Sequence, residues 1–562
     1  MSKFIMTVLA TAGHVDHGKS TLVNFLTGQE TDRLKEEKQR GLTISLGYTY
    51  FDYEEKRFSI VDVPGHSDYF KNTISGFSNV DGVLFCVDST QGWSQQSEEH
   101  FLSLINLGIN NLLFFLTKTD KKDIVFGKNE LINKLIDFKE INHSLVEFSS
   151  INSDKKSVQK IICEFFKKPE SNINPPSLWV DRVFSIEGIG KVITGTASKN
   201  MSFDKVFVND QQTQLDIREV ESVGQKLNTL ITSSSRIAIS LKNNKSDPGK
   251  GSLLTNQLIE KTTYMLIRPN TDSALFLERG TLRIYVGTHT QIIKKCRTIK
   301  IDNKMFLLVQ LEKSIPVLSL QKVLVHNLSK KMFIGGSVVH STNNSYLIKK
   351  LNRDFRMKDN INSEEIFTLI PENLLASNSK GFKRIGKFFI KNNDLKTLEE
   401  NIKSNIIEIN KSGVGSYFYK NFYIEEKELK KLIVDFKSIK IQKDQIVENK
   451  ILDIDSQLLA EVKSQLGNAL NVNEVDLRKY DTEAIKSLFM NGCLFRVTKN
   501  IVISEDHKNQ LTEIIDSLPD TFSVTDFKEQ SSLTRKYAIP YLEFLDKELV
   551  TQKIESSGLR TK

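Results

Sequence analysis

Near its start the chain reads Gly13-His14-Val15-Asp16-His17-Gly18-Lys19-Ser20-Thr21. A glycine, four free positions and then Gly-Lys-Ser is a spacing that suits phosphate. Glycines let backbone N–H groups curl round the α- and β-phosphates, and a following helix adds the positive end of its dipole. Lys19 is then placed to reach the β- and γ-oxygens, and the Ser20 hydroxyl to ligate Mg²⁺. Downstream comes Asp62-Val63-Pro64-Gly65-His66. A carboxylate at a strand end, Asp62, suits Mg²⁺ directly or through water. Gly65 can bring its N–H close to a γ-phosphate, and His66 can position an attacking water. The third box is Thr117-Lys118-Thr119-Asp120. Asp120 can accept two hydrogen bonds from the N1–H and exocyclic amine of guanine, an edge that adenine does not match, while the Lys118 stem lies over the base. In Phe148-Ser149-Ser150, at the next strand end, a backbone N–H can meet guanine O6. In this order the three boxes predict a site for GTP and Mg²⁺.

Those residues need a scaffold. Apolar runs at Phe4–Ala10, Phe58–Val63, Gly82–Val87 and Asn111–Leu116 alternate with helical patterns. Such alternation predicts a parallel α/β sheet with its ligand at the carboxyl ends of the strands. The domain is expected over residues 1–172. Pro169, Pro175 and Pro176 in polar surroundings then mark a linker. Short alternating strands follow at Leu178–Ile186, Lys191–Ala197, Lys205–Val208 and Ile237–Leu241, and again at Met265–Arg268, Thr281–Val286, Met305–Leu311 and Lys322–Val325. They predict two β-barrels, over 173–260 and 261–349, the second ending near Ile334-Gly335-Gly336. Residues 350–562 turn to amphipathic helices, among them Leu395–Ile409, Ile424–Asp435 and Gln457–Leu466. Near the end, a short helix from Val524, a turn at Ser531–Thr534, a helix over Arg535–Leu549 and a hairpin through Ile554 to Arg560 give winged-helix order. Apolar positions Ala538, Ile539, Leu542, Leu545 and Leu549 form its expected inner face, with Pro540 in the first turn. The last winged helix is expected over about 505–562.

The chain has 562 residues, 39% hydrophobic and 26% charged, with a formal net charge of +9. A length beyond one core fits this multidomain reading, and the mild basic excess permits a nucleic-acid partner without requiring one. Cys86, Cys163, Cys296 and Cys493 lie far apart without metal-ligand spacing, so free thiols in a reducing compartment are expected. Charged and polar residues interrupt the opening apolar run. Neither a signal peptide nor a membrane span is read, and a cytoplasmic monomer is expected.

GHVDHGKST, DVPGH and the K-x-D box resemble the translation-factor GTPases. The segment Thr27–Tyr48, TGQETDRLKEEKQRGLTISLGY, is similar to the selenocysteine-specific elongation factors of the SelB family, bacterial type. Elongation factor Tu shares R-G-x-T-I but carries a longer insert before it, and an Asn where Thr117 stands. The resemblance implies that Thr43 closes on Mg²⁺ and the γ-phosphate, and that Val15 and Ile44 form a hydrophobic gate beside His66. It likens Trp179–Phe184 and Val192–Thr196 to the family's second domain, making Asp181, Arg182 and Arg236 the pocket for the aminoacyl end of tRNA. Guanidinium groups there would favour a selenolate over a neutral serine hydroxyl. An Asp–Arg pair that only braces the barrel remains the alternative. TRKYAIPYLEFLD resembles the last winged helix of bacterial SelB factors, implying that Arg535, Lys536, Tyr537 and Arg560 contact an mRNA hairpin. The implied function is GTP-dependent delivery of selenocysteinyl-tRNA to the ribosome at in-frame UGA codons. A GTPase for another tRNA, such as initiator tRNA, and a GTP-switched nucleic-acid regulator remain the alternatives.

Overall fold

The apolar run before the glycine loop is strand β1 (Ile5–Ala12), in which Val8, Leu9, Ala10 and Ala12 are fully buried. A strand buried on both faces needs a layer of helices on each side. The computed structural model describes residues 5–29, 43–121, 125–136, 141–166, 176–222, 225–227, 231, 233–242, 246–270, 280–330, 332–357, 360, 363, 369–371, 382–385, 388–434, 436, 438–442, 444–448, 455–472, 475–490, 492–519, 521–548, 550–553 and 559–561. Its chain divides into two units, Met1–Asn343 and Asn344–Lys562. Residues 30–42, which include the whole TDRL…RGL stretch, lie outside the described residues.

Around β1 stand α1 (Lys19–Thr27), β2 (Gly47–Tyr53), β3 (Lys56–Asp62), α2 (Phe70–Gly76), β4 (Gly82–Asp88), α3 (Gln95–Asn106), β5 (Asn111–Thr117), α4 (Val125–Ile136), β6 (Asn142–Glu147) and α5 (Lys155–Phe165). The sheet runs β2-β3-β1-β4-β5-β6. Val8, Ala10, Phe85 and Phe114 share one core with Phe70, Ile74, Phe101 and Leu104 of α2 and α3. Leu9, Phe58 and Phe115 share the other with Leu22 and Val23 of α1 and Ile162 of α5. The expected parallel sheet has one exception. β2 runs antiparallel to β3, the chain reversing over two residues with Glu54 left-handed at φ 53°. Because β1 lies between β3 and β4, the strand order switches there. The carboxyl ends of β1, β3 and β5 therefore deliver the glycine loop, Asp62 and Thr117 to one edge of the sheet.

In the next part of this unit, β7 (Ser177–Ile186), β8 (Gly190–Ala197), β9 (Phe207–Val208), β10 (Thr213–Gln214), β11 (Ile217–Ser222), β12 (Gln225–Lys226), β13 (Ser235–Leu241) and β14 (Leu253–Thr255) form one eight-stranded antiparallel sheet. Leu178, Val180, Ile193, Val208, Val220, Ile237, Ile239 and Leu254 from both halves of it meet in a single cluster. The following six strands, β15 (Lys261–Pro269), β16 (Leu282–Val286), β17 (His289–Ile301), β18 (Lys304–Pro316), β19 (Lys322–Asn327) and β20 (Met332–Thr342), close into a barrel. Sequence patterning missed β17, whose HTQIIKKCRTIKI breaks alternation at a bulge between Ile293 and Lys295. It also stopped β20 early: the strand runs through Gly335-Gly336 to Thr342.

In the second unit, the expected helix at Leu395–Ile409 is two, α7 (Asn392–Ser404) and α8 (Ile406–Ser412), following α6 (Ser345–Met357). After them come α9 (Val414–Asn421), α10 (Glu426–Ile433), α11 (Ser456–Leu466), α12 (Thr482–Met490) and α13 (Glu505–Ser517). The winged-helix order near the end is present. A capping box at Ser523 starts α14 (Val524–Ser531), and Ser532 turns the chain left-handed at φ 54° before α15 (Arg535–Lys547). Strands Gln552–Lys553 and Arg560–Thr561 pair as a wing, and Arg560–Thr561 also pairs with Thr521–Phe522. The buried face of α15 is Ala538, Tyr541, Leu542, Phe544 and Leu545, whereas Ile539 is exposed and Leu549 is outside the described residues. Pro540 is the sixth residue of α15, inside the helix rather than in its first turn. The bond it cannot donate falls opposite exposed Lys536.

Domain contact within the first unit is tight at Gly335. Its N–H donates to Asn106 Oδ1 at 2.8 Å, and a Cβ there would stand 1.8 Å from the Asn106 carbonyl oxygen. Gly335→Ala is expected to lower the unfolding free energy by about 1–3 kcal/mol. Gly249→Ala, with open space around it, should leave the denaturation midpoint unchanged.

Candidate functional site

The loop leaves β1 at Gly13 (φ 122°), where a Cβ would lie 2.2 Å from the Cys86 carbonyl oxygen. It enters α1 through Gly18, left-handed at φ 82°. Lys19 is buried and folds over the loop, its ammonium donating to the Gly13 and His14 carbonyls at 3.1 and 2.6 Å. Gly65 abuts the same place, since a Cβ on it would be 2.3 Å from Lys19 Nζ and 2.6 Å from Val15 N. Thr21 is exposed on α1, and Asp16 is exposed in the loop at φ 60°. His14 and His17 meet edge to face with ring centroids 5.0 Å apart. Burial, then the neighbouring His14 and Lys19, push His17 down to about 4.

Three expected metal residues converge. The Ser20 hydroxyl donates to Asp62 Oδ2 at 2.9 Å and lies 3.1 Å from Thr43 Oγ1. Asp62 is fully buried, and its Oδ1 accepts from Thr11 Oγ1 at 2.8 Å. The same Thr11 oxygen accepts the Val63 N–H at 3.0 Å. Two hydroxyls and one carboxylate are hard oxygen donors. They suit a Mg²⁺ that draws its remaining ligands from phosphate and water, and do not suit an all-protein cage. Among the described residues no group of three or more His, Cys, Asp or Glu could hold a metal.

His66 is half-exposed and caps the turn that follows, its Nδ1 accepting the Asp68 N–H at 3.2 Å. Val15 and Ile44 are both half-buried, and the Ile44 carbonyl accepts from Asn72 Nδ2 on α2 at 3.0 Å.

At the base box, Thr117 Oγ1 donates to the His17 carbonyl at 3.0 Å, tying β5 to the phosphate loop. Lys118, left-handed at φ 58°, pairs with Asp88 Oδ2 at 2.7 Å. Burial would raise the Asp88 carboxyl, but hydrogen bonds from Lys118 and Thr90 outweigh it and hold it below its usual value. Asp120 accepts the Ser149 hydroxyl at 2.8 Å. The expected amide donor is narrowed here. The Ser149 N–H is already donated to Ser153 Oγ at 3.0 Å, while the Ser150 N–H, exposed, has no partner among the described residues.

Asp181, Arg182 and Arg236 are brought together, around Tyr48 of β2. Arg236 forks onto both oxygens of Asp181, contacts Thr194 Oγ1 at 2.9 Å and stacks with its guanidinium 3.7 Å from the Tyr48 ring centroid. Arg182 stacks on the same ring at 4.7 Å and donates to the Leu46 carbonyl. The Arg236 side chain is 11% exposed. Burial works against its charge and Asp181 more than offsets it. Arg236 thus fills the bracing role that the sequence left open, and ties the second domain to the segment after Thr43.

In the second unit, Arg535 and Lys536 are exposed at the start of α15, and Tyr537 is half-buried with its hydroxyl donating to the Val472 carbonyl at 3.3 Å. Arg560 is a correction. Its side chain is 5% exposed and its Nε donates to Asp546 at 2.9 Å, so it braces the wing and presents no guanidinium outward. Sequence reasoning missed Thr11, Asp88 and Tyr48. The available signals were a polar residue inside an apolar strand for Thr11 and a carboxylate ending one for Asp88.

Thr117→Val keeps the shape and leaves the buried His17 carbonyl without its donor. Nucleotide dissociation should accelerate by roughly tenfold, given about 1–3 kcal/mol for an unpaired buried polar group. Stopped-flow release of a fluorescent GDP reads this, and an unchanged rate would show that the tether does not support the loop.

Residues 5–233 match the family model described as elongation factor Tu GTP binding domain, and residues 513–556 match that described as elongation factor SelB, winged helix. The selenocysteine-specific elongation factor of Desulfomicrobium baculatum is 36% identical over 197 residues, 34% of this chain and 31% of that protein. Its namesake in Haemophilus influenzae is 32% identical over 206 residues, 36% of this chain and 32% of that protein. The aligned part of the chain thus spans about a third of the length of these curated relatives. The crystal structure of a bacterial selenocysteine-specific elongation factor, EF-Sec, shares the fold over 99% of both chains, with a TM-score of 0.60 and 24% identity. SelB from Methanococcus maripaludis in complex with the GTP analogue GppNHp matches over 62% of this chain and 81% of its own, with a TM-score of 0.51 and 21% identity. Residues 5–233 are thus a GTP-binding domain of the elongation factor Tu kind, and residues 513–556 a winged helix of the kind found in elongation factor SelB.

Proposed function

We propose that this chain is a GTP-hydrolysing elongation factor that carries selenocysteinyl-tRNA to the ribosome at in-frame UGA codons. It would act as a cytoplasmic monomer organised as residues 1–172, 173–260, 261–349 and 350–562, its last winged helix from about 505. Among the described residues no helix is long and apolar enough to cross a membrane. The observation that carries the reading is the meeting of Ser20, Thr43 and Asp62 beside a lysine-covered phosphate loop, in a chain that also has a SelB-type winged helix.

In this reading Asp120 and the Ser150 N–H select guanine, Lys19 neutralises phosphate charge, and Ser20 and Thr43, with Asp62 behind them, hold Mg²⁺. When bound, Mg²⁺ would offset charge on the β- and γ-phosphates. His66 orients the attacking water once it leaves its Asp68 cap, and Val15 and Ile44 gate that movement. Release of the γ-phosphate frees Thr43, and the pull passes along Leu46 and Tyr48 to Arg182 and Arg236. Arg236, locked by Asp181, holds the pocket, and Arg182 supplies donors to the selenolate. Arg535 and Lys536 grip the backbone of an mRNA hairpin, with Tyr537 beside them, and tethering then raises the local concentration of the delivered tRNA.

His66→Ala should keep GTP affinity within about threefold and lose roughly 10²-fold or more of ribosome-stimulated hydrolysis, the range for one positioned acid–base group. Full stimulation in that variant would sink the role. Arg182→Ala should cut the preference for selenocysteinyl- over seryl-tRNA by roughly 10–100-fold, the scale of one charge-assisted hydrogen bond. Protection of each aminoacyl ester from hydrolysis measures it. If wild-type protein instead protects initiator tRNA, the tRNA assignment fails.

A further inference from the structure

The first turn of the phosphate loop contains a donor that secondary structure does not satisfy. Strand pairing between β1 and β4 ends at Ala12 opposite Phe85, so the Gly13 N–H lies one residue past the ladder. It is buried, and a buried N–H left alone is costly. His100, 87 residues away on α3, meets it, its Nδ1 accepting from Gly13 N at 3.2 Å.

The surroundings explain why an imidazole does this. His100 is 2% exposed. Burial, then Lys19 and His14, push it down to about 3, so the ring is neutral at ordinary pH. Accepting at Nδ1 places its proton on Nε2. A carboxylate at this place would accept as well, but would bring a charge that competes for Lys19. A neutral ring supplies the acceptor and leaves Lys19 to the loop carbonyls and phosphate. The ring also meets Phe77 at the end of α2, centroids 6.1 Å apart and nearly perpendicular. One side chain therefore touches the start of the phosphate loop and the helix that follows His66.

We propose that His100 is a positioning residue for nucleotide binding, fixing the Gly13 end of the phosphate loop through its Nδ1. It acts through the Gly13 backbone and touches no phosphate. The inference rests on the GTP-site reading above. It complements Thr117, which holds the same loop at His17.

The test compares full-length His100→Leu with His100→Asn. Leucine fills much of the volume without an acceptor, whereas asparagine can bring its Oδ1 to the place of Nδ1. Fluorescent GDP and GTP dissociation rates are measured beside the denaturation midpoint. The leucine variant should release both nucleotides at least tenfold faster, and the asparagine variant should stay within about threefold of wild type. Equal acceleration in both variants would make the ring's packing the cause and overturn the proposal, as would wild-type rates in the leucine variant. Should leucine prevent folding, hydrogen exchange decides: the Gly13 amide must be protected in wild type and in the asparagine variant, and fast exchange in either overturns it. A wild-type protein that binds no guanine nucleotide sinks the GTP-site reading itself, a different outcome from either variant result.

Discussion

A fully buried carboxylate, Asp62, sits at the end of β3, and much of the first domain is arranged to keep it there. An ionised carboxylate out of water is stable only with donors on its oxygens. Thr11 supplies one from the neighbouring strand and Ser20 another from the first turn of α1. Thr43 completes the set through Ser20. This requires β1 and β3 to be adjacent, parallel and in the register that sets Leu9 opposite Ile60. A shift of one residue would turn Thr11 to the other face of the sheet. The Ser20 hydroxyl that donates to the carboxylate is also one that can face Mg²⁺, so the same group serves stability and ligand binding.

The loop and the segment around Thr43 are held differently. The loop is anchored by main-chain geometry at Gly13 and Gly18 and by side chains from α3 and β5. Thr43 meets Ser20 through its hydroxyl, and the residues just after it meet side chains from other elements, Asn72 of α2 and Arg182 of the second domain. A loop anchored on its own sheet, beside a segment that meets side chains from other elements, suits a nucleotide switch in which the phosphate can add an attachment.

Legibility in the sequence followed the range of the interactions. The phosphate loop, DVPGH and the base box are local, since spacing within a few residues fixes their chemistry, and each stands at a strand end as its flanking apolar run implied. The strand β17 was hidden because a bulge breaks its period, and the pairing that stabilises it lies across the hairpin. His100 and Tyr48 were hidden for another reason. A histidine on the inner face of a helix reads as core, and nothing near it in sequence shows that its partner is an amide 87 residues away. The two arginines of the second domain were legible as a pair, but their division of labour was not, because only the fold brings Tyr48 between them.

That division bears on how an aminoacyl group could be read. A guanidinium has five donors, and Arg236 directs its fork at Asp181 and Thr194 while its plane lies on Tyr48. Little of it remains for a ligand, and removing Asp181 to expose it would leave a buried cation unpaired. Among the described residues Arg182 pairs with no carboxylate and donates to a carbonyl and a distant hydroxyl. A weakly paired guanidinium beside a rigid one is a better anion reader than two rigid ones, because binding an anion breaks no ion pair. Tyr48 joins both to the strand that follows Thr43. Movement of that strand would then shift Arg182 more than Arg236, so the pocket could lose its anion contact while the second domain keeps its fold.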